Sequence, residues 1–279
     1  MVTTSRLVDV VKWTATLGKG PQNFLGARWV RSVLRRASAD KKRLWALRVL
    51  SLSPHYFLDP ENPKYAGMSN DEYLEAIFES YVESRKEIFD ALLANHVRPD
   101  STVIDYGCGP GFLSKLIAEN AAQVYGCDIS QGALACAGIL NSAPNLAFIR
   151  ATETGMDSIG NTSVDIVFSY AVIQHLSDDT FKLVLETCHQ KLKGGGRLIL
   201  HVQLENEFWR TEQEWREDLS IQGRMKLKYG LHCFAHTSEA LRSIVTEAGF
   251  HDIQIEDLAN FIRNDSDKIP GQAILTASK

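Results

Sequence analysis

Apolar residues follow two rhythms along this chain, and the change between them falls near Pro99. Before it the spacing is helical. From Phe24 to Ala37, the residues Ala27, Val30, Val33, Leu34 and Ala37 recur at three- and four-residue steps, while Arg28, Arg31, Arg35 and Arg36 lie largely off that stripe. Lys41 to Leu52 repeats the mixture with Leu44, Trp45, Leu47 and Leu50. The proline-bearing stretch SPHYFLDPENPKYAGMSN breaks the pattern. Ser69 or Asn70 can then cap a helix over about 71–95, with Tyr73, Ile77, Tyr81, Ile88 and Leu92 near one face.

After Pro99, short strands alternate with helices. TVIDY, QVYGC, LAFIR, VDIVFSY and GRLILHVQL read as strands, with helical patterns at about 112–119, 131–140 and 179–191. SEALRSIVTEAG is a further helix, capped by Thr237 or Ser238 and stopped by Gly249, and HDIQIEDL and QAILTAS are the last strands. Strands separated by helices imply right-handed crossovers and a largely parallel sheet covered on both faces. The final pair has no helix-length pattern between its members, so it is expected to be antiparallel. The expected fold class is therefore α/β: a Rossmann-like, seven-stranded, mostly parallel sheet with an antiparallel last strand, plus a helical N-terminal extension.

Composition adds boundaries. With 279 residues, 44% hydrophobic and 23% charged, the chain has room for one large domain and an extension. No apolar run approaches the roughly 18 residues of a membrane span, and no signal-peptide pattern opens the chain, so a cytoplasmic location is expected. Five scattered cysteines without a CxxC pair read as reduced thiols rather than a disulfide frame or zinc site. The net charge of −4 hides an asymmetry: residues 1–50 hold eleven Lys/Arg and two Asp/Glu. The expected organisation is a basic amphipathic arm over 1–52, a linker and helix over 53–98, and an α/β domain over 99–279.

The stretch VIDYGCGPG carries the candidate chemistry. A glycine-rich turn after a first strand lets a ligand approach backbone closely. Gly107, Gly109 and Gly111 form GxGxG, and Phe112 stands where a dinucleotide site has its last glycine. Asp105 sits badly beside a pyrophosphate and suits a ligand with positive charge nearby. DYGCGPG resembles the first motif of class I S-adenosylmethionine-dependent methyltransferases. VYGCDIS, DIVFSYAVIQHL and LKGGGRLIL, together with the closing strand pair, resemble further elements of that family in its order, over about residues 85–279. The resemblance implies S-adenosylmethionine as cofactor. It puts Asp105 and the amides of Gly107 and Gly109, with Cys108 between them, on the methionyl portion. Asp128 falls on the ribose, Ile129 against adenine, Thr152 and Glu153 at the adenine edge, and Tyr170 with Ala171 beside the sulfonium. EAIFESYVESRKEIF resembles the family's cofactor-covering helix, from which Tyr81 and Arg85 could reach the methionyl carboxylate.

A hydroxyl acceptor also needs its proton removed. His175, just past the fourth strand, is the candidate general base; shaping the pocket or capping a turn is its alternative role. His201 is a second candidate, with a satisfied core histidine as its rival reading. The strand-four end lacks NPPY and Pro-Cys, which argues against DNA-base methylation, and no metal site stands out. The segment 205–236, with Phe208, Trp209, Trp215, Tyr229 and Phe234, reads as a substrate lid or a solvated insertion. The leading expectation is a small-molecule methyltransferase directed at oxygen of a lipid, glycolipid or sugar-bearing metabolite. Methylation of nucleic acid through the basic arm and non-catalytic cofactor binding are the alternatives. The arm, with Trp13, Trp29 and Trp45, would either pack on the domain or lie on an anionic membrane.

Overall fold

The computed structural model describes residues 28–51, 53, 56, 62–152, 155–229, 232–262 and 270–279. Residues 1–27 of the arm, the side chain of Trp29, and Glu153 lie outside the described residues.

Strand β1 (Thr102–Tyr106) is central, with β2 (Gln123–Asp128) and β3 (Leu146–Arg150) on one side and β4 (Val164–Ser169) and β5 (Leu192–Gln203) on the other. The sheet order is β3-β2-β1-β4-β5-β7-β6. Strands β1 to β5 pair parallel, while β7 (Gln272–Ser278) runs antiparallel to both β5 and β6 (His251–Asp257). Chain order reverses between β1 and β4, which opens a crevice at the strands' carboxyl ends.

Nine helices are described. In the extension lie α1 (Arg28–Arg36), α2 (Lys42–Leu50) and α3 (Asn70–Leu92). On the sheet lie α4 (Phe112–Ala118), α5 (Gln131–Leu140), α6 (Asp178–Lys191) and α9 (Ser238–Glu247), and in the insertion after β5 lie α7 (Glu212–Glu217) and α8 (Ile221–Tyr229). A capping box between Ser69 and Glu72 starts α3. Another, between Thr211 and Glu214, starts α7. The insertion's two helices were not legible in advance because they are short and carry charge on most faces. Strand β5 starts earlier than expected, at Leu192. The Lys279 backbone extends its ladder, accepting from Gly195 N–H at 2.8 Å and donating to Gly196 at 2.9 Å.

The sheet is buried on both sides. Phe181, Leu185, Leu241 and Val245 cover one face, and Ile88, Leu92, Leu113 and Ile117 cover the other. A third cluster joins the extension to the domain: Leu34, Leu47 and Leu50 pack with Phe78, Phe112, Cys136 and Leu140. Arg43 pairs with Glu75 and Arg48 with Asp71, both at 2.8 Å. These pairs are about 40% exposed, and such pairs are worth about 0–1 kcal/mol each. Burying Leu47 and Leu50 completely contributes about 1.5–3 kcal/mol apiece, so apolar burial dominates the docking. Leu34, Leu47 and Leu50 of the arm's apolar stripe are thus taken up by the domain, while Trp45 stays 38% exposed.

Candidate active site

A cleft of about 470 Å³ lies at the carboxyl ends of β1, β2 and β4. Its floor is the turn after β1. Gly107, Gly109 and Gly111 have φ of 76°, 53° and 81°, a left-handed backbone that favours glycine. Space imposes the same choice. A Cβ at Gly107 would meet Val172 at 2.2 Å, and one at Gly109 would meet the Tyr56 hydroxyl at 2.5 Å.

The amides of this turn are spent within the protein. Gly107 and Cys108 N–H donate to the Cys127 carbonyl at 2.7 and 3.0 Å, and Gly109 N–H donates to Asp128 Oδ2 at 2.9 Å. Gly107 and Gly109, expected beside the methionyl portion, thus have amides already bonded within the ligand-free protein, and both residues line the cleft. The glycines supply bare backbone surface and a turn locked to the end of β2.

Two carboxylates face this floor, Asp105 buried and Asp128 half-buried. Asp105 accepts a hydrogen bond from the Ser114 hydroxyl at 2.6 Å. Burial raises its pKa to about 6, a rise that Ser114 offsets in part. Asp128 accepts from the amides of Gly109 and Ser130, at 2.9 and 2.7 Å. Burial raises its pKa too, and the two amides lower it in part. Neither carboxylate forms an ion pair among the described residues. Two such carboxylates without a paired cation make a site that favours a positively charged ligand. That is the test the donor set passes for S-adenosylmethionine, whose sulfonium and ammonium are positive. Ile129 stands exposed beside Asp128 as an apolar wall.

The opposite wall is aromatic. The Arg85 guanidinium lies over the rings of Tyr81 and Tyr170, at 5.4 and 5.7 Å, and Tyr170 stacks on His201 at 4.7 Å. His201 is 1% exposed and does not line the cleft. Its Nδ1 accepts from Ala171 N–H at 3.2 Å, and burial lowers its pKa to about 4. It is not placed as a base; it holds Ala171, a non-glycine residue with φ of 58°.

His175 does line the cleft. Its Nδ1–H donates to the carbonyl of His232 at 2.5 Å, and His232 Nε2 lies 3.3 Å from the His175 carbonyl. A protonated Nδ1 leaves Nε2 as the proton-accepting nitrogen of the neutral ring. Of the adenine-edge pair, Thr152 turns its hydroxyl to the Gly155 carbonyl at 3.0 Å in a tight bridge, and Ala151 lines the cleft instead. Among the described residues no group of His, Cys, Asp and Glu could hold a metal ion, and no helix is long and apolar enough to cross a membrane.

Three lining or supporting residues escaped the sequence reading. Ser53 and Tyr56 come from the proline-rich linker, and Tyr56 reaches over Gly109. Burial and the Asp128 carboxylate both keep its hydroxyl protonated. His232 enters from the insertion, 57 positions from His175. No local pattern marks any of the three.

The methyltransferase domain family matches residues 104–200. With the sheet order and the turn geometry, this defines a class I S-adenosylmethionine-dependent methyltransferase domain. Among curated proteins the chain is similar to the ubiquinone biosynthesis O-methyltransferase of Pseudomonas paraeruginosa, 32% identical over 101 residues, covering 36% of this chain and 43% of that protein. The enzyme of the same name from Serratia proteamaculans is 32% identical over 102 residues, covering 36% and 42%. The chain thus matches less than half the length of these relatives. Among solved structures, an S-adenosylmethionine-dependent methyltransferase from Mesorhizobium loti superposes with a TM-score of 0.52 at 17% identity, covering 71% of this chain and 98% of that one. Phosphoethanolamine N-methyltransferase 2 of Haemonchus contortus superposes with a TM-score of 0.51 at 17% identity, covering 72% and 52%. At these identities the structures establish the fold alone.

Proposed function

We propose that this protein transfers the methyl group of S-adenosylmethionine to an oxygen of a small molecule, and that the acceptor is a lipid or glycolipid rather than a nucleic acid. The observation that carries the oxygen assignment is the His175 tautomer. The His232 carbonyl keeps Nδ1 protonated, so the nitrogen left to take a proton belongs to a residue lining the cleft. The O-methyltransferase names of the matched relatives support oxygen as nucleophile.

When bound, S-adenosylmethionine supplies a methyl carbon activated by positive sulfur. Asp128 would hold the ribose, Ile129 would press on adenine, and Asp105 would balance the ligand's positive charge. Arg85, fixed between Tyr81 and Tyr170, would meet the methionyl carboxylate. Tyr170 and Ala171 would flank the sulfonium. His175 Nε2 would take the proton of the acceptor hydroxyl, leaving its oxygen as nucleophile toward the methyl carbon that the bound cofactor would supply.

Calorimetry with S-adenosylmethionine, its demethylated product and a nicotinamide dinucleotide tests the cofactor. Methyl-label transfer into lipid, metabolite and RNA fractions then tests the acceptor. Binding of the first two ligands with label entering lipid is expected. Label in RNA, or binding without any transfer, would overturn the reading.

A further inference from the structure

Among the described residues, eight large apolar side chains are exposed, and four of them fall between 208 and 225. Three belong to one short stretch: Leu219 at 72% exposure, Ile221 at 81% and Met225 at 36%. Ile221 and Met225 stand one turn apart on α8, so they share a face. Exposed apolar clusters of this kind mark contact surfaces.

Within the stretch the charge has one sign, with Asp218, paired to Arg210, at its start. Residues 219–229 contain Arg224, Lys226 and Lys228 and no carboxylate. Arg224 and Lys226 are exposed, and neither forms an ion pair among the described residues. Nearby cations behave otherwise: Arg210 is neutralised by Asp218 and Arg216 by Glu212. An apolar face fringed by unpaired cations complements an anionic lipid surface, where apolar burial and headgroup attraction add. A second copy of the chain fits less well. A two-fold contact would bring both sets of cations together, with no carboxylate of the segment between them. Three side chains also fall far short of the roughly 800 Å² per partner of a stable interface.

The face is wired to the cleft. The Lys226 carbonyl lies 3.5 Å from His232 Nδ1, and the His232 carbonyl holds His175. Lys226 also sits over the ring of Trp215, whose indole N–H donates to the Cys233 carbonyl at 2.8 Å. We propose that residues 219–229 dock on an anionic membrane surface, so that an acceptor held in the bilayer reaches His175 without crossing water. This deepens the lipid reading of the acceptor and rests on it.

The test is co-sedimentation of the full chain with vesicles of phosphatidylcholine alone or mixed with phosphatidylglycerol. Binding to the mixed vesicles, weakened by salt, is expected. Ile221→Asp should lower it tenfold or more, on the order expected from losing one buried aliphatic side chain. Arg224→Glu with Lys226→Glu should lower it by about thirtyfold or more. Thermal melting shows that each variant is folded. A variant carrying Lys12→Glu and Lys19→Glu should bind as the parent does. The proposal is overturned if the parent ignores both vesicle types, if Ile221→Asp binds unchanged, or if only the variant in the first 27 residues loses binding. Concentration-dependent self-association without vesicles, abolished by Ile221→Asp, would assign the face to a second copy and also overturn it. Vesicle binding is read without methyl transfer. An inactive protein that still docks therefore refutes the proposed activity and leaves only the docking surface standing, without its link to an acceptor.

Discussion

The two walls of the cleft treat buried charge in opposite ways. On the β1–β2 wall, Asp105 is buried and Asp128 half-buried, neither is paired with a cation among the described residues, and Asp105 holds its proton up to about pH 6. On the β4–β5 wall, His201 is forced neutral, with its pKa lowered to about 4, and His175 is held in one tautomer by a carbonyl. One wall has negative charge to offer a cation. The other keeps His201 neutral, and its one named cation, Arg85, lies over the rings of Tyr81 and Tyr170. A positive sulfonium lying between them would be attracted by the first. The difference separates two tasks, holding the cofactor and handling the acceptor's proton, so each wall can be perturbed alone.

The largest expected effect lies on the histidine wall. His175→Ala should lower turnover about 10²–10⁴-fold while cofactor affinity by calorimetry stays as it was. The acid limb of the pH–rate profile should vanish with it. Normal turnover would return His175 to a structural role and point to a nucleophile that needs no base.

The carboxylate wall should show the converse. Asp128→Ala should weaken S-adenosylmethionine binding about ten- to a hundredfold, since hydrogen bonds to a charged group are worth about 1.5–3 kcal/mol. Part of that loss should come through the turn, because Asp128 also holds the Gly109 amide. A folded variant with unchanged affinity would remove Asp128 from the cofactor site.

Asp105→Asn sharpens the contrast by dividing stability from binding. The folded protein holds the Asp105 proton up to about pH 6, against an ordinary value of 3.8. This group therefore stabilises the ligand-free fold less and less as pH rises from about 4 to 6. Above that window an ionised, buried Asp105 costs on the order of 1–3 kcal/mol. The asparagine variant should melt higher than the parent at about pH 8, by a margin that closes near pH 4, yet bind cofactor more weakly. Melting curves with and without ligand at both pH values check this. A variant less stable than its parent at the higher pH would contradict the assigned burial.

The sequence was informative wherever chemistry is written locally. The GxGxG turn, Asp105 at the end of β1 and Asp128 at the end of β2 are adjacent-residue patterns, and the sheet carries them to one crevice. What the glycine amides bond to was not legible, because the partners Cys127 and Asp128 come from a neighbouring strand. Tyr56 and His232 were not legible either. Each lies in a segment without periodicity and reaches the site through packing of distant pieces. The arm's two readings share one sequence pattern, since a stripe looks the same facing lipid or protein; the cluster that buries Leu34, Leu47 and Leu50 assigns those three residues to the domain.

The smallest effect tests whether the histidine wall is neutral for the reason given. His201→Phe keeps an aromatic ring against Tyr170 but removes the acceptor for Ala171 N–H. An amide left without its partner, in a left-handed backbone that alanine rarely adopts, should cost about 1–2 kcal/mol at neutral pH. The pH dependence carries the argument. The folded pKa of His201 is about 4 and its ordinary value is 6.5. The unfolded chain therefore binds more protons than the folded one between those values. The stabilisation that His201 gives is complete above about pH 6.5 and is lost as pH falls toward 4. Phenylalanine has no such proton. The gap between parent and variant in denaturant midpoint should thus be widest near neutrality and should shrink on acidification, as in the Asp105 pair, but here the parent is the more stable protein. A gap that stays constant with pH would mean that His201 gains no proton on unfolding. The wall would then owe its neutrality to something other than burial of this ring.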